Sequence, residues 1–437
     1  MSMSESAARL KAKFEGRDAV VVVIGQGYVG LPLAMEAVEA GFRVIGIDVW
    51  AERVEQLNRG ESYIIDIPSE QLQAALATGR FEATTDYARI AEADAISICV
   101  PTPLRKTRDP DISYIQASLE SMVPYIVKPC LVVLESTTYP GTTDEIVVDV
   151  LTLGGKRKLD EDVFVAFSPE RVDPGNANYQ LKNTPKVIGG VTKAGGELAV
   201  ALYGQMVERV HPVGSAREAE MVKLLENTFR AVNIALVNEM LLMCDRMDIN
   251  IWRVIDAAAT KPFGFMPFYP GPGIGGHCIP LDPTYLSWKA KSYGFYNRFI
   301  ELATDINGNM PRFVIQKLVK LLNDQGKALH GARVLLVGMS YKANVDDLRE
   351  SPALDIWELL HTEWRAKPAY HDPHIARIDS LGAVSQDLSA DALASYDAVI
   401  ITTNHRGIDY DLIAANSKLV LDARNAMRAE GPHITKL

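Results

Sequence analysis

At 437 residues the chain is too long for one ordinary core, so two or three domains are expected. Its 48% hydrophobic and 23% charged residues are the mix of a globular protein, and a net charge of -10 argues against a nucleic-acid or anionic-membrane binder, either of which wants a basic face. The four cysteines (99, 130, 244 and 278) are scattered with no CxxC pair, which argues against a disulfide framework or structural zinc and fits a reducing compartment. The opening "MSMSESAARLKAKFEGRD" has no apolar core of signal-peptide length, and runs such as "AVVVVIG" fall far short of a membrane span. A cytoplasmic protein with no membrane segment is expected.

In chain order, "DAVVVVIGQGYVGLPLAMEAVEAGFRVIGID" opens with the β-branched run Val20–Ile24, a strand buried on both faces, then a Gly-rich turn, a helix ending near Gly41 and a second strand. Gly25, Gly27 and Gly30 follow the first strand directly. The first glycine makes the tight turn, the second lets a pyrophosphate reach the backbone, and the third lets helix pack on strand. Asp48 ends the next strand, where a carboxylate accepts from a ribose 2′-OH and repels a 2′-phosphate, which favours NAD over NADP. Further strands are predicted at "DAISICV" (94–100), "CLVVLES" (130–136) and "VFVAFS" (163–168). Thr102 in "VPTP", Thr137 in "STTYPGT" and Glu170 in "SPERVDPG" fall just past strand ends, where open α/β sheets bind ligands. Each alone also reads as a turn residue.

From Ser215 to about Arg246 runs one long helical pattern without Gly or Pro, with more helix at 251–258, 283–293 and 311–324. Lys223 and Asn227 lie at i and i+4 on that helix, hence on one face; alone, such a pair is commonly a solvated stripe. In "FYPGPGIGGHCIPLDPTYLSWK" four glycines and several prolines surround Cys278. Asp282 as N-cap and Pro283 at N1 predict a helix start there, close enough to stabilise a Cys278 thiolate. His277 and Cys278 could suggest a metal pair, but no further cluster is spaced to complete it, so no metal is expected. Past residue 325 the first pattern returns: "ARVLLVGMSYKA" echoes "AVVVVIGQGYVG", "YDAVIITTNH" echoes "ADAISICVPTP", and "KLVLDARN" echoes "CLVVLEST". The fold class expected is therefore α/β: two Rossmann-like, doubly wound parallel-sheet domains at 1–212 and 313–437, joined by a central all-helical domain at 213–312 with one long helix. Two such domains suggest two nucleotides with chemistry between them.

These motifs in this order, from about residue 18 to 430, resemble the UDP-glucose/GDP-mannose dehydrogenases, which are four-electron nucleotide-sugar dehydrogenases. The resemblance implies that Cys278 is the nucleophile, that Lys223 and Asn227 hold the oxygen on C6, that Asp282 serves base and water chemistry, and that Glu170 and Thr137 surround the hydrolytic water. It implies NAD contacts from Gly25, Gly27, Tyr28, Val29, Gly30, Asp48, Arg53, Thr102, Thr137 and Arg349. It implies substrate contacts from Glu170, Arg171, Lys223, Asn227, Tyr269, Gly273, Gly275, Lys342 and Arg424. A C6 alcohol would be oxidised to an aldehyde, captured by Cys278 as a thiohemiacetal, oxidised to a thioester and hydrolysed to the uronate. A homodimer or higher homo-oligomer is implied as well.

The UDP-glucose branch typically reads Gly-Gly-Ser-Cys-Phe-Pro-Lys-Asp around the nucleophile. Here "GGHCIPLD" puts His277 for the serine and Leu281 for the lysine. With "RFIELATDINGNMP" it looks more like the branch that oxidises UDP-N-acetylhexosamines, with UDP-N-acetylglucosamine the expected substrate, for surface polysaccharide. UDP-N-acetylgalactosamine, UDP-N-acetylmannosamine, UDP-glucose and GDP-mannose are the enzymatic alternatives. A non-catalytic NAD-binding regulator would have no need of Cys278, Lys223, Asn227 and Asp282, and a two-electron hydroxyacid dehydrogenase would need neither Cys278 nor the second α/β domain.

Overall fold

A computed structural model describes residues 3–64, 66–105, 109–171, 178–276 and 278–437. The chain forms two compact units, Met1–Glu226 with Thr284–Gly294, and Asn227–Pro283 with Phe295–Leu437.

The first unit is built on a sheet of eight strands: β1 (Val20–Ile24), β2 (Arg43–Ile47), β3 (Phe81–Thr84), β4 (Ala95–Ile98), β5 (Cys130–Leu134), β6 (Val163–Phe167), β7 (Lys186–Gly190) and β8 (Val210–Val213). Their order is β3-β2-β1-β4-β5-β6-β7-β8. Every pair is parallel except β6–β7. The β-branched runs are continuous because both faces are covered: Val21 and Val23 join one core, Val22 and Ile24 the other. On the first face packs a helix the sequence reading passed over, Glu5–Gly16, which buries Ala7, Leu10 and Phe14 at helical spacing. Antiparallel β7 also lay outside the sequence-predicted strands; it extends the parallel sheet past β6.

The second unit carries β9 (Arg333–Val337), β10 (Lys367–His371), β13 (Ala398–Ile401), β14 (Val420–Asp422) and β15 (Ile434–Lys436) in the parallel order β10-β9-β13-β14-β15, beside a small antiparallel pair, β11 (Arg377–Ile378) and β12 (Ala383–Val384). Leu336 and Val334 face a core shared with Met310, Val314 and Leu318 of a helix spanning Arg298–Asp324; Leu335 and Val337 face the other side. That helix starts earlier than the predicted 311 and carries Pro311 in its interior. Proline removes the bond that would reach the Asn307 carbonyl, but burial of Ile300, Ala303 and Asn307 keeps the helix continuous. The long helix, Ala216–Arg246, begins in the first unit and ends in the second.

Candidate active site

In the first unit the carboxyl ends of β2, β1, β4, β5 and β6 lie side by side, so Asp48, the glycine turn, Thr102, Thr137 and Glu170 follow neighbouring parallel strands. Gly25 has φ +89°, and a Cβ there would sit 2.7 Å from the Cys99 carbonyl oxygen. A Cβ on Gly30 would lie 1.8 Å from the Gly25 carbonyl oxygen, whereas one on Gly27 would meet nothing within 4 Å. The first and third glycines thus serve close packing, and the second leaves open space at the turn that a pyrophosphate requires. Tyr28 is exposed, and Val29 immediately precedes the Gly30–Glu39 helix.

Asp48 is buried and accepts from the Gln26 amide (2.9 Å) and the Trp50 amide (3.0 Å). The Arg53 guanidinium lies 3.9 Å from Asp48 Oδ2 and over the rings of Trp50 and Tyr63. These residues fit an adenosine ribose bound by the carboxylate, with the Arg53 guanidinium already beside the Asp48 counter-charge.

Glu170 is 8% exposed; its carboxylate is 3.6 Å from Lys186 Nζ, and its carbonyl accepts from Lys223 Nζ at 3.0 Å. Arg171 is drawn elsewhere. Its guanidinium donates to Glu226 at 2.6 Å and to the Pro185 carbonyl at 2.7 Å, tying the loop after β6 to the long helix. Thr102 is buried, with its carbonyl accepting from Tyr285 Oη at 2.5 Å, and Thr137 is half-buried.

Two buried charge clusters of this unit were missed by sequence reasoning. Behind Glu170, Lys186 Nζ donates to Glu135 at 2.8 Å, and Tyr203 Oη donates to the same carboxylate. Burial pushes the Glu135 carboxyl up; it also works against the Lys186 ammonium, but Glu135 and Glu170 outweigh it and raise the lysine. Glu220, one turn before Lys223, clamps the loop after Thr137 by accepting from the Gly141 amide (2.6 Å), the Thr143 amide (2.9 Å) and the Thr143 hydroxyl (2.7 Å). Burial pushes its carboxyl up to about 7 against those hydrogen bonds.

In the second unit the cysteine loop explains its own glycines. Gly273 and Gly276 have φ +136° and +83°, conformations that L side chains rarely adopt. A Cβ on Gly275 would be 2.6 Å from both the Glu350 carbonyl and Tyr341 Cβ, and the Gly276 amide donates to the Arg349 carbonyl at 2.9 Å. The loop therefore lies flat against the 341–352 segment that carries Lys342 and Arg349. The Arg349 guanidinium is paired with Asp347, at 2.9 Å from Nε to Oδ2. Gly271 abuts Arg424, whose guanidinium would be 2.6 Å from a Cβ there. Arg424 Nε donates to the Thr402 carbonyl at 2.9 Å, and among the described residues no carboxylate pairs with it. Burial pushes its pKa down to about 10, so it stays a cation at neutral pH, suited to an anion. Tyr269 stacks on Trp252 and donates to Asp256 at 2.8 Å.

The predicted helix start at Asp282 is corrected by the structure. The helix runs Cys278–Lys291 with Pro283 inside it, so Cys278 itself occupies the first helical position and Asp282 sits one turn later. Proline removes the bond that would reach the Ile279 carbonyl, yet the helix continues past it to Lys291. Cys278 is exposed, while Cys99, Cys130 and Cys244 are buried, with burial pushing the Cys130 thiol up to about 12. A thiol at a helix N-terminus is favoured as thiolate. Asp282 is 1% exposed and accepts from the Asn227 amide at 2.6 Å. His277 lies outside the described residues, and among those described no cluster of three metal-ligating side chains occurs.

A further missed pair, Asn238 and Asn307, fixes this loop: Asn238 Oδ1 accepts from the Gly271 amide (3.0 Å), its Nδ2 donates to Asn307 Oδ1 (2.9 Å), and Asn307 donates to the Ala231 carbonyl (3.1 Å). The only local signal was asparagine on the buried face of a helix.

Family comparisons cover nearly the whole chain. The NAD binding domain of the UDP-glucose/GDP-mannose dehydrogenase family matches residues 19–207, its central domain 217–309 and its UDP binding domain 335–429. A UDP-N-acetyl-D-glucosamine 6-dehydrogenase of Pseudomonas aeruginosa is 34% identical over 89% of this chain and 91% of its own. An NDP-N-acetyl-D-galactosaminuronic acid dehydrogenase of Ralstonia nicotianae is 34% identical over 94% of this chain and 96% of its own. The solved UDP-D-ManNAc dehydrogenase of Pyrococcus horikoshii superposes with a TM-score of 0.87 at 32% identity, covering 95% of this chain and 98% of that one.

Proposed function

The chain belongs to the UDP-glucose/GDP-mannose dehydrogenase family, and within it we propose a UDP-N-acetylglucosamine 6-dehydrogenase that makes the uronic acid for surface polysaccharide. The coarser statement follows from family membership: the protein is an NAD-dependent nucleotide-sugar dehydrogenase. The observation that carries the four-electron reading is Cys278, the exposed cysteine at a helix N-terminus, one turn ahead of an Asp282 held by Asn227.

The glycine turn and Asp48 would hold NAD, which would supply the hydride acceptor for each of the two oxidations at C6. The remaining chemistry falls to side chains. Lys223 and Asn227, one turn apart on one helix, hold the C6 oxygen as negative charge develops. The Cys278 thiolate attacks the aldehyde carbon and retains it as a thiohemiacetal, so the aldehyde does not escape. Loss of the second hydride from C6 and of the hydroxyl proton turns that adduct into a thioester; water then attacks it, with Asp282 as base and Glu170 and Thr137 around the water, and the carboxylate leaves as the Cys278 thiolate is released. Lys342 and Arg424 supply cationic contacts for the UDP diphosphate.

The functional division is 1–212 for NAD, 213–312 for the helical middle and 313–437 for UDP. A homodimer formed along the long helix is part of this reading: Phe229, Leu236 and Met243 recur every seven residues and are 46%, 51% and 46% exposed. Among the described residues no helix is long and apolar enough to cross a membrane; a cytoplasmic site of action completes the proposal.

A panel of UDP-N-acetylglucosamine, UDP-N-acetylgalactosamine, UDP-N-acetylmannosamine, UDP-glucose and GDP-mannose, assayed for NADH and uronate, tests the reading. Two NADH per UDP-N-acetylglucosamine, with the highest kcat/KM of the five, is expected; a higher value for another sugar overturns the substrate. Cys278→Ala should lower uronate formation by several orders of magnitude with both ligands still bound. Near-normal uronate from that variant overturns the covalent mechanism.

A further inference from the structure

The segment that follows β13, Thr402–Arg406, sits between the loops that follow β9 and β14, because β13 lies between those two strands. It is hydrogen-bonded to both. On one side the Thr402 carbonyl accepts from Arg424 Nε at 2.9 Å. On the other, Thr402 Oγ1 donates to the Gly338 carbonyl, Thr403 Oγ1 donates to the Ser340 carbonyl at 2.6 Å, and Asn344 Oδ1 accepts from the Arg406 amide at 2.7 Å.

His405 is the centre of this attachment and is 1% exposed. Its Nδ1 accepts from the Asn344 backbone amide at 2.9 Å, so that nitrogen carries no proton. The ring proton is then on Nε2, which lies 3.1 Å from both Asp372 Oδ2 and Ser340 Oγ. Ser340 Oγ gives its own proton to the Lys342 carbonyl at 2.8 Å, and so can receive one from the imidazole. Asp372 in turn accepts from the Met339 amide at 2.6 Å and the Ser340 amide at 3.2 Å. One ring therefore grips both ends of the Ser340–Asn344 turn, with Lys342 at its middle. Asn344 has φ +64°, a backbone state that the grip on its amide and side chain maintains.

We propose that His405 is a positioning residue for UDP binding: through the Asn344 amide, Ser340 and Asp372 it sets the turn that presents Lys342, while its neighbour Thr402 orients Arg424. The inference rests on the reading of Lys342 and Arg424 as diphosphate contacts. It predicts that loss of the imidazole acts on the nucleotide-sugar and not on the dinucleotide.

The test uses the full chain and UDP as probe, with binding followed by calorimetry, NAD⁺ titrated separately, and kcat and KM measured in parallel. His405→Leu removes a donor and an acceptor. The turn that presents Lys342 is then in its binding arrangement for a smaller fraction of the time, so the UDP Kd should rise about tenfold or more, with NAD⁺ affinity unchanged and the UDP-sugar KM raised more than kcat falls. His405→Gln offers an amide oxygen to Asn344 and an amide N–H to Asp372, and should restore UDP affinity to within a few-fold of the unmodified enzyme. Unchanged UDP affinity in folded His405→Leu overturns the inference, as does an equal loss of NAD⁺ affinity. If His405→Leu does not fold, Ser340→Ala decides: it removes the hydroxyl that links His405 Nε2 to the Lys342 carbonyl, and unchanged UDP affinity there overturns the inference. An unmodified enzyme that binds no UDP would instead overturn the proposed function on which the inference stands.

Discussion

The two parallel sheets place a glycine and an aspartate in the same relation and then use them differently. Gly25 follows β1 and Asp48 follows β2; Gly338 follows β9 and Asp372 follows β10. In both, the aspartate accepts from the amide just after the glycine, Gln26 in one and Met339 in the other. Beyond that they part. The first turn runs into a helix at Gly30, so backbone amides at a helix N-terminus can meet phosphate. After β9 the next helix starts only at Pro352, and the intervening loop presents side chains such as Lys342. Asp372 is also enclosed by His405, whereas Asp48 faces Arg53 at 3.9 Å. On the proposed function, a repeated strand-turn-strand frame would support backbone recognition of a dinucleotide in one unit and side-chain recognition of a nucleoside diphosphate in the other.

The sheets differ as well in what they bury, and here the largest effect is expected. The Lys186–Glu135 pair joins β7 to the end of β5 in the first sheet, and both side chains are nearly inaccessible. Lys186→Met leaves the Glu135 carboxylate buried without its ammonium and should cost about 3–5 kcal/mol in chemical denaturation. Replacing both charges, Glu135→Gln with Lys186→Met, should recover most of that loss, since the amide oxygen introduced in place of the carboxylate can still accept from Tyr203. A single variant as stable as the unmodified protein would show that the first sheet does not depend on this pair.

A second effect separates the units by pH. The Glu220 carboxyl is raised by burial from 4.5 to about 7. Its contribution to folding is complete below pH 4.5 and is lost as pH rises through 7, because the folded state holds the proton more tightly. At about 1.4 kcal/mol per pH unit, the swing is at most roughly 3 kcal/mol. Asp372 behaves oppositely: burial would raise it, but hydrogen bonds from His405 and the Met339 and His374 amides hold it below the usual carboxylate range. Its contribution is present above the unfolded aspartate pKa near 4 and is lost as pH falls through its depressed value. Stability of the unmodified protein should fall between pH 4.5 and 7, and melting curves of Glu220→Gln should lose that slope; the same slope in both proteins would remove Glu220 from the comparison.

Much of this frame was legible because it is local. The glycine spacing, Asp48, the apolar strands and the uninterrupted helix from 216 to 246 each announce themselves within a few residues. Helix starts near proline were misread because Pro283 and Pro311 obey a local rule that burial and neighbouring turns override. Asn238 with Asn307, Lys186 with Glu135, and His405 with Asn344 lie far apart in sequence, and no periodicity marks partners brought together only by the sheet order.

The smallest effect concerns the two aspartates themselves. The Asp48 carboxylate has two backbone donors, and a ribose hydroxyl would add a third, charge-assisted bond worth about 1.5–3 kcal/mol. Asp48→Ala should therefore weaken NAD⁺ by roughly tenfold to a hundredfold. It should also narrow the preference over NADP⁺, because the carboxylate that repels a 2′-phosphate is gone and Arg53 remains. Asp372→Ala, the equivalent change in the other sheet, should leave cofactor preference untouched, since its carboxylate is spent on His405 and the Met339 amide. The comparison is decided by the ratio of kcat/KM for NAD⁺ and NADP⁺ in the three proteins. Equal use of both cofactors by the unmodified enzyme, or the same narrowing in both variants, would mean that the duplicated frame does not divide the two nucleotides in this way.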